Sequence, residues 1–237
     1  MRARDGLGLV GGAGVAAMLA AAFVRLPAVG GASHPYRDLV LPAGLGSAMP
    51  NLVSAVNFDL RALDTLGEET IVAAAVVGVL ALLQPSDRPP SPHGRVLPVI
   101  RFTGYLLLPV ALVLGLDVIA HGHLTPGGGF QGGVVLATGW HLLYLAGSRT
   151  ALARLRPLGR LEQVEAAATG LYVVTGLCGL VVSGTFLTNV LPRGAFGSLV
   201  SSGTVPVLSV LVGVEVAAGT VVLLSRFLDQ DREEATS

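Results

Sequence analysis

Lysine is missing altogether: all 15 basic residues of this 237-residue chain are arginine, a bias that fits a GC-rich genome better than any chemistry and to which no function attaches. Cysteine is nearly missing. Cys178 stands alone, which excludes an internal disulfide and a thiolate ligand set. Its place in an apolar run suits a small side chain in lipid or at a helix contact. Charge is scarce as well, at 13% of residues against roughly 25% in soluble domains, which excludes an ordinary soluble fold. The formal net charge is +0, so no basic surface is available to hold nucleic acid. A Ser, His and acid constellation, a Gly-rich dinucleotide fingerprint and a Cys ligand set are all absent. The chain is therefore not expected to be an enzyme on its own, nor to carry a cofactor.

What is present is apolar. Hydrophobic residues make up 52% and the mean hydropathy is +0.71, so the expected fold class is an all-α integral membrane protein. Lipid offers no partner to unsatisfied backbone groups, and crossing it takes about 20 apolar residues. Six runs qualify, giving about six transmembrane helices: Leu7 to Val24, Glu69 to Leu83, Val99 to Ala120, Gly132 to Ala146, Val164 to Leu187 and Val205 to Leu228. The second and fourth are short and are expected to recruit flanking residues such as Thr65, Leu66 and Phe130. Short cytoplasmic loops retain arginine. Placing Arg149, Arg154, Arg156 and Arg160 inside also places Arg2, Arg4, Arg88, Arg95, Arg226 and Arg232 inside, with both termini cytoplasmic. The first run has a signal-peptide-like basic start and a downstream "VGGAS", but its length favours a retained helix.

The polar, proline-rich tract 85–98, "PSDRPPSPHGRVLP", reads as a linker between a two-helix module, 1–84, and a four-helix module, 99–237. Residues 25–67 carry Pro27, Pro35, Pro42 and Pro50, and no fold is assigned to them. A short amphipathic helix near Leu52 to Leu63 would put Leu52, Val56 and Leu63 on one face.

The stretch "HGHLTPGGGFQGG", His121 to Gly133, has the look of a reactive loop set among membrane segments. It fails as a phosphate loop, because Gly128 and Gly129 stand where Lys and Ser/Thr are needed. His121 and His123 are too few ligands for a metal, and His34, His93 and His141 are scattered, so no metal site is expected. The physical reading is a helix break and a packing motif. Pro126 cannot continue a helix and biases Thr125 toward extended backbone, while Gly127, Gly128 and Gly129 permit any turn. Gly128 with Gly132, and Gly129 with Gly133, are small residues four apart that let another helix approach closely. Gly122 and Phe130 belong to the same motif.

Ionisable residues inside apolar helices cost about 2.5–3.5 kcal/mol on insertion scales and normally point into protein or water. Glu215, in "VLVGVEVAAGTVVLL", is the strongest candidate for a proton or cation route, with a buried packing role as the alternative. Asp117 can pair with His121 at the i, i+4 spacing, and His123 adds a second titratable group at the bilayer rim. His141 reads as a structural hydrogen-bonder. In "FDLRALDTLGEET", Asp64 and Glu68 lie one turn apart at a membrane boundary, where Asp64 is a candidate helix cap. The ion-pathway candidates are Asp64, Glu68, Asp117, His121, His123 and Glu215.

"HGHLTPGGGFQGGVV", followed by "SSGTVPVLSVLVGVEVAAG", resembles the MnhB/MrpB-type subunit of multisubunit Na+/H+ antiporters, together with related subunits of membrane-bound hydrogenase and sulfur-reducing complexes. "VNFDLRALDTLGEETIVAAAVVGVLALL" is similar to the C-terminal end of the large MrpA subunit, fused here to the N-terminal side. The resemblance covers roughly residues 51–83 and 99–228. It implies a multi-pass subunit of a bacterial cell (inner) membrane complex that couples protons to sodium ions, with partners like the membrane subunits of complex I. It gives weight to Asp64, Gly67 and Glu68, and to Gly122, His123, Pro126, Gly127, Gly128, Gly129 and Phe130. Glu215 rests on the physical argument alone.

Overall fold

The computed structural model describes residues 3–26, 34–83, 96–146 and 158–234. The "VGGAS" stretch, most of the 85–98 tract, and Arg149, Arg154 and Arg156 lie outside the described residues. Every regular element among the described residues is helical. The chain divides into two compact units, Met1–Leu39 and Val40–Ser237. The first holds α1 (Ala3–Val24) and the opening of α2 (Pro35–Gly46). Pro35 starts α2 at a position where its missing N–H has no helical partner to lose.

In the second unit, Asn51 caps α3 (Leu52–Ala55), accepting from the N–H groups of Val53 at 3.1 Å and Ser54 at 3.4 Å. The chain then widens into a π-helical turn, Val56–Leu60, and breaks at Arg61 with φ −134° and ψ 36°. The single amphipathic helix expected near Leu52 to Leu63 is therefore two short pieces, because the wider turn rotates the face and buries Phe58. α4 (Ala62–Leu82) begins earlier than its apolar run. Arg61 holds the cap position, with no capping hydrogen bond from its side chain, so Asp64 is not the cap. It sits in the first turn, where the helix dipole favours a carboxylate, and pairs with Arg61.

The remaining helices are α5 (Pro98–Ala120), α6 (Gly129–Leu145), α7 (Leu158–Ser183) and α8 (Val205–Glu234). Among the described residues, four apolar spans are long enough to cross a membrane: Ala62–Leu82, Pro98–Ala120, Gly159–Ser183 and Val205–Phe227. The apolar part of α1, Gly8–Val24, is shorter, and α6 has 17 residues, or about 26 Å against about 30 Å of hydrocarbon. Each of the six expected runs is thus helical over most of its length, four at full spanning length, although the fifth ends at Ser183 rather than Leu187. α8 is the centre of the bundle: 61% of its span is buried, against 17%, 17% and 22% in the others. It packs on α4, α5, α6 and α7. Near its start, Phe58, Ala62, Tyr172, Leu187, Val205, Leu208 and Val212 form one apolar core. The outer apolar faces, such as Leu107, Val113 and Val181, are exposed, as lipid contact requires. Cys178 also lies on an exposed face.

Candidate functional site

The loop between α5 and α6 is held from three sides. α5 ends where the His121 N–H donates to the Asp117 carbonyl at 2.9 Å, and the two side chains pair, Nδ1 to Oδ1, at 2.9 Å on the exposed rim. Thr125 closes a further turn with its N–H on the His121 carbonyl at 2.9 Å, and Pro126 ends it. Gly127 (φ 148°) and Gly128 (φ 133°, ψ −169°) then take backbone angles that side chains rarely adopt, and α6 starts at Gly129.

Asn51, distant in sequence, holds the loop from outside. Its Nδ2 donates to the carbonyls of Gly122 at 2.7 Å and Thr125 at 2.8 Å, and its backbone N–H donates to His123 at 3.2 Å. Ser209 of α8 holds the inner side, donating to the Ile119 carbonyl at 3.2 Å. A third contact comes from the irregular segment before α8, where the Ser198 carbonyl meets His123 Nε2 at 3.4 Å. That segment is itself tied: Asn189 Oδ1 accepts from the Thr204 N–H at 2.9 Å and its Nδ2 donates to Ser202 at 3.0 Å.

The glycines after the break face two neighbours. A methyl on Gly129 would run into the Ser209 carbonyl and Val212 of α8, and one on Gly133 would lie 2.8 Å from the Gly213 carbonyl. Gly132 faces the other way, 2.7 Å from the Gly115 carbonyl of α5. α6 is thus wedged between α5 and α8 at backbone contact. Phe130 packs against the core cluster.

His123 is fully buried, and its Nδ1 has no hydrogen-bond partner. Burial lowers its pKa below the usual 6.5, the Ser198 and Leu199 backbone opposes this, and repulsion from His121 adds to the lowering. Between the ordinary and the lowered value the unfolded chain carries a proton that the folded chain refuses. Stability is therefore fully present above about pH 6.5 and falls as the pH drops below it, by up to about 1.4 kcal/mol per pH unit. Melting in detergent at pH 7.5 and 5.5 should show this loss, and His123→Gln should flatten it; an equal loss in that variant would assign the effect elsewhere.

The intramembrane carboxyl groups differ from the expected set. Glu215 is fully buried at the middle of the α8 span, and neither oxygen has a hydrogen-bond partner. Asp64 and Glu68 lie on the exposed face of α4. The neighbouring Glu69 is the one buried, again with both oxygens unpartnered, and Glu165 of α7 is buried with Oε1 unpartnered. Neither is among the ion-pathway candidates of the sequence, which puts Glu69 only near the membrane boundary: Glu69 follows Glu68 by one residue, about 100° around a helix apolar on most sides, and Glu165 lies at the edge of its run. The structure does not bring Asp117, His121 and His123 together with Glu215, which stands more than a turn deeper than Ser209. His141 is half-buried on α6. Among the described residues no three His, Cys, Asp or Glu side chains converge to hold a metal ion.

Residues 99–222 match the family described as a domain related to the MnhB subunit of the Na+/H+ antiporter. An uncharacterized protein, MJ1307, of Methanocaldococcus jannaschii is 31% identical over 196 residues, covering 72% of this chain and 74% of the relative. Among solved structures, the chain is similar to one in the membrane-bound sulfane sulfur reductase, an archaeal respiratory membrane complex. There the TM-score is 0.76 at 29% identity, over 95% of this chain and 98% of that one. It is also similar to a chain of the Mrp complex from Dietzia sp. DQ12-45-1b, with a TM-score of 0.71 at 27% identity. That match covers 95% of this chain and 26% of the longer one.

Proposed function

The chain belongs to the family of domains related to the MnhB subunit of Na+/H+ antiporters, and from that premise we propose that it helps exchange sodium ions for protons across a bacterial cell membrane. It is a multi-pass membrane protein and a subunit of a multisubunit, cation/proton antiporter-like complex, working with other subunits. The observation that carries the reading is the extent of the likeness, which runs over 95% of this chain in two such complexes rather than resting on one motif. In this reading the chain performs no catalysis of its own and keeps both termini in the cytoplasm. Glu215 offers an ionisable group at mid-span, and Asp117, His121 and His123 offer titratable groups at the rim. Asp64 and Glu68 face outward, where a partner subunit can meet them.

A second reading is favoured by the near-complete overlap with a subunit of a respiratory complex: the same role in a redox-driven ion pump. Both are tested by purifying the tagged chain from its own membrane in mild detergent, identifying its partners by mass spectrometry, and reconstituting the complex. Sodium addition is expected to move protons through vesicles holding antiporter-type subunits alone. Copurifying oxidoreductase subunits with electron-dependent pumping would establish the second reading, and a chain that purifies alone with no ion movement would sink both. Protease-accessible tags at the two ends check the orientation; an external C-terminus overturns it.

A further inference from the structure

Glu69, Glu165 and Glu215 sit on three different helices, all buried, and the packing makes them neighbours in depth. A methyl on Gly219 of α8 would lie 3.2 Å from Val76 and 3.5 Å from Val72 of α4, and 3.6 Å from Cγ of Glu165 on α7. Three helices therefore meet at that level. Glu69 shares a stripe of α4 with Val72 and Val76, at spacings of three and seven, and Glu215 precedes Gly219 by one turn on α8. At the starts of α4 and α8, and two turns along α7 from Glu165, the Tyr172 hydroxyl donates to the Ala62 carbonyl at 3.1 Å, and Ala62 and Tyr172 share a core with Val205 and Leu208. α4 and α8 thus run in the same direction and α7 runs against them. Glu69 and Glu215 stand about one turn above the Gly219 contact, and Glu165 stands at it.

Polar groups continue this line both ways. Above are buried Thr65 and Tyr172, then an open cavity of about 380 Å³ whose lining includes Asp59, Arg61, Ala62, Thr188, Asn189 and Arg193. Below, Arg226 lies on the same stripe of α8 and pairs with Glu162 at 3.2 Å, one turn from Glu165. A carboxyl group with no partner in an apolar interior marks a route for ions or protons. The three do not converge into one ligand shell, whereas a proton needs only a single carboxyl group at each step, and the proton is the passenger that this spacing suits.

We infer that a proton wire runs inside this one chain, between α4, α7 and α8, with Glu69, Glu215 and Glu165 as carriers between the Asp59–Arg193 cavity and the Glu162–Arg226 pair. This rests on the antiporter-subunit reading and adds to it the passenger and the residues. Each hop moves one proton from a carboxyl group to the next carboxylate through intervening water. The donor left charged takes its next proton from the side behind it, and only O–H bonds are made and broken.

The test uses the whole complex in vesicles with a trapped pH dye. Glu69→Gln, Glu165→Gln and Glu215→Gln should each lower sodium-driven proton flux at least tenfold at unchanged subunit stoichiometry, Glu215→Asp should restore part of it, and Asp38→Asn, on the surface, should match the natural protein. Assembled Gln variants with full flux overturn the wire. Should a variant fail to assemble, dicyclohexylcarbodiimide on the natural complex decides, since it modifies proton-bearing carboxyl groups in apolar surroundings. Mass spectrometry should find it on Glu69 and Glu215, and its absence from all three overturns the proposal. A natural complex that exchanges no cation for protons defeats the antiporter reading instead, while labelling still reports on the carriers.

Discussion

Gly129→Ala is expected to destabilise the folded chain by about 3 kcal/mol or more, because overpacking a filled contact costs about 1–3 kcal/mol and here the obstacle is backbone. The new methyl would run into the Ser209 carbonyl and lie 2.6 Å from Cβ of Val212. A carbonyl on a helix cannot swing aside as a flexible side chain does, so α6 must back away from α8 along its length. That movement would also open the contacts one turn on, where Gly133 faces Gly213 and Val216. Gly78→Ala and Gly170→Ala are the controls. Both lie in helices with nothing within 4 Å of the added methyl, so they should be neutral or gain up to about 1 kcal/mol of helix propensity. Thermal melting and elution profile in mild detergent separate the outcomes, and a Gly129→Ala protein that melts with the natural one would disprove the contact.

Asn51→Ala should cost about 3 kcal/mol through two separable losses. Removing the Oδ1 acceptor uncaps α3, worth about 1 kcal/mol. Removing the Nδ2 donor leaves the part-buried Gly122 carbonyl without its bond of 2.7 Å, at about 1–3 kcal/mol for such a group, and hands the exposed Thr125 carbonyl, bonded at 2.8 Å, to water. Asn51→Asp divides the two, because it keeps the cap but turns an acceptor toward two carbonyls. It should be nearly as unstable as the alanine variant; a stable Asp variant would show that the cap, not the clamp on the loop, is what Asn51 supplies.

Much of the fold is legible in the sequence because membrane insertion demands it. A run of apolar residues in lipid has to be a helix, since no other local structure satisfies its backbone, and the runs ending at Val24 and Ala120 stop where the sequence says. The break at Pro126 is equally local, following from a missing N–H and three glycines. Starts were harder to see. α4 begins at Ala62, well before its apolar run, because Asp64 and Glu68 sit on an outer face while Thr65 and Glu69 turn inward. The hold on the loop was invisible from sequence: Asn51 lies 71 positions from Gly122 and His123 lies 75 from Ser198, and no pattern in either segment announces the other.

The class of protein, the six long apolar helices, the glycine break and the family are legible along the chain, because each depends on residues near one another in it. Glu215 is placed inside by its run alone, but the choice between Glu68 and Glu69 belongs to packing. Glu68 and Glu69 are chemically alike and adjacent, and α4 is apolar enough on every side to enter a bilayer in any rotation. Which of them is buried was settled by where α7 and α8 come to rest against α4, a choice made by packing between segments far apart in the chain.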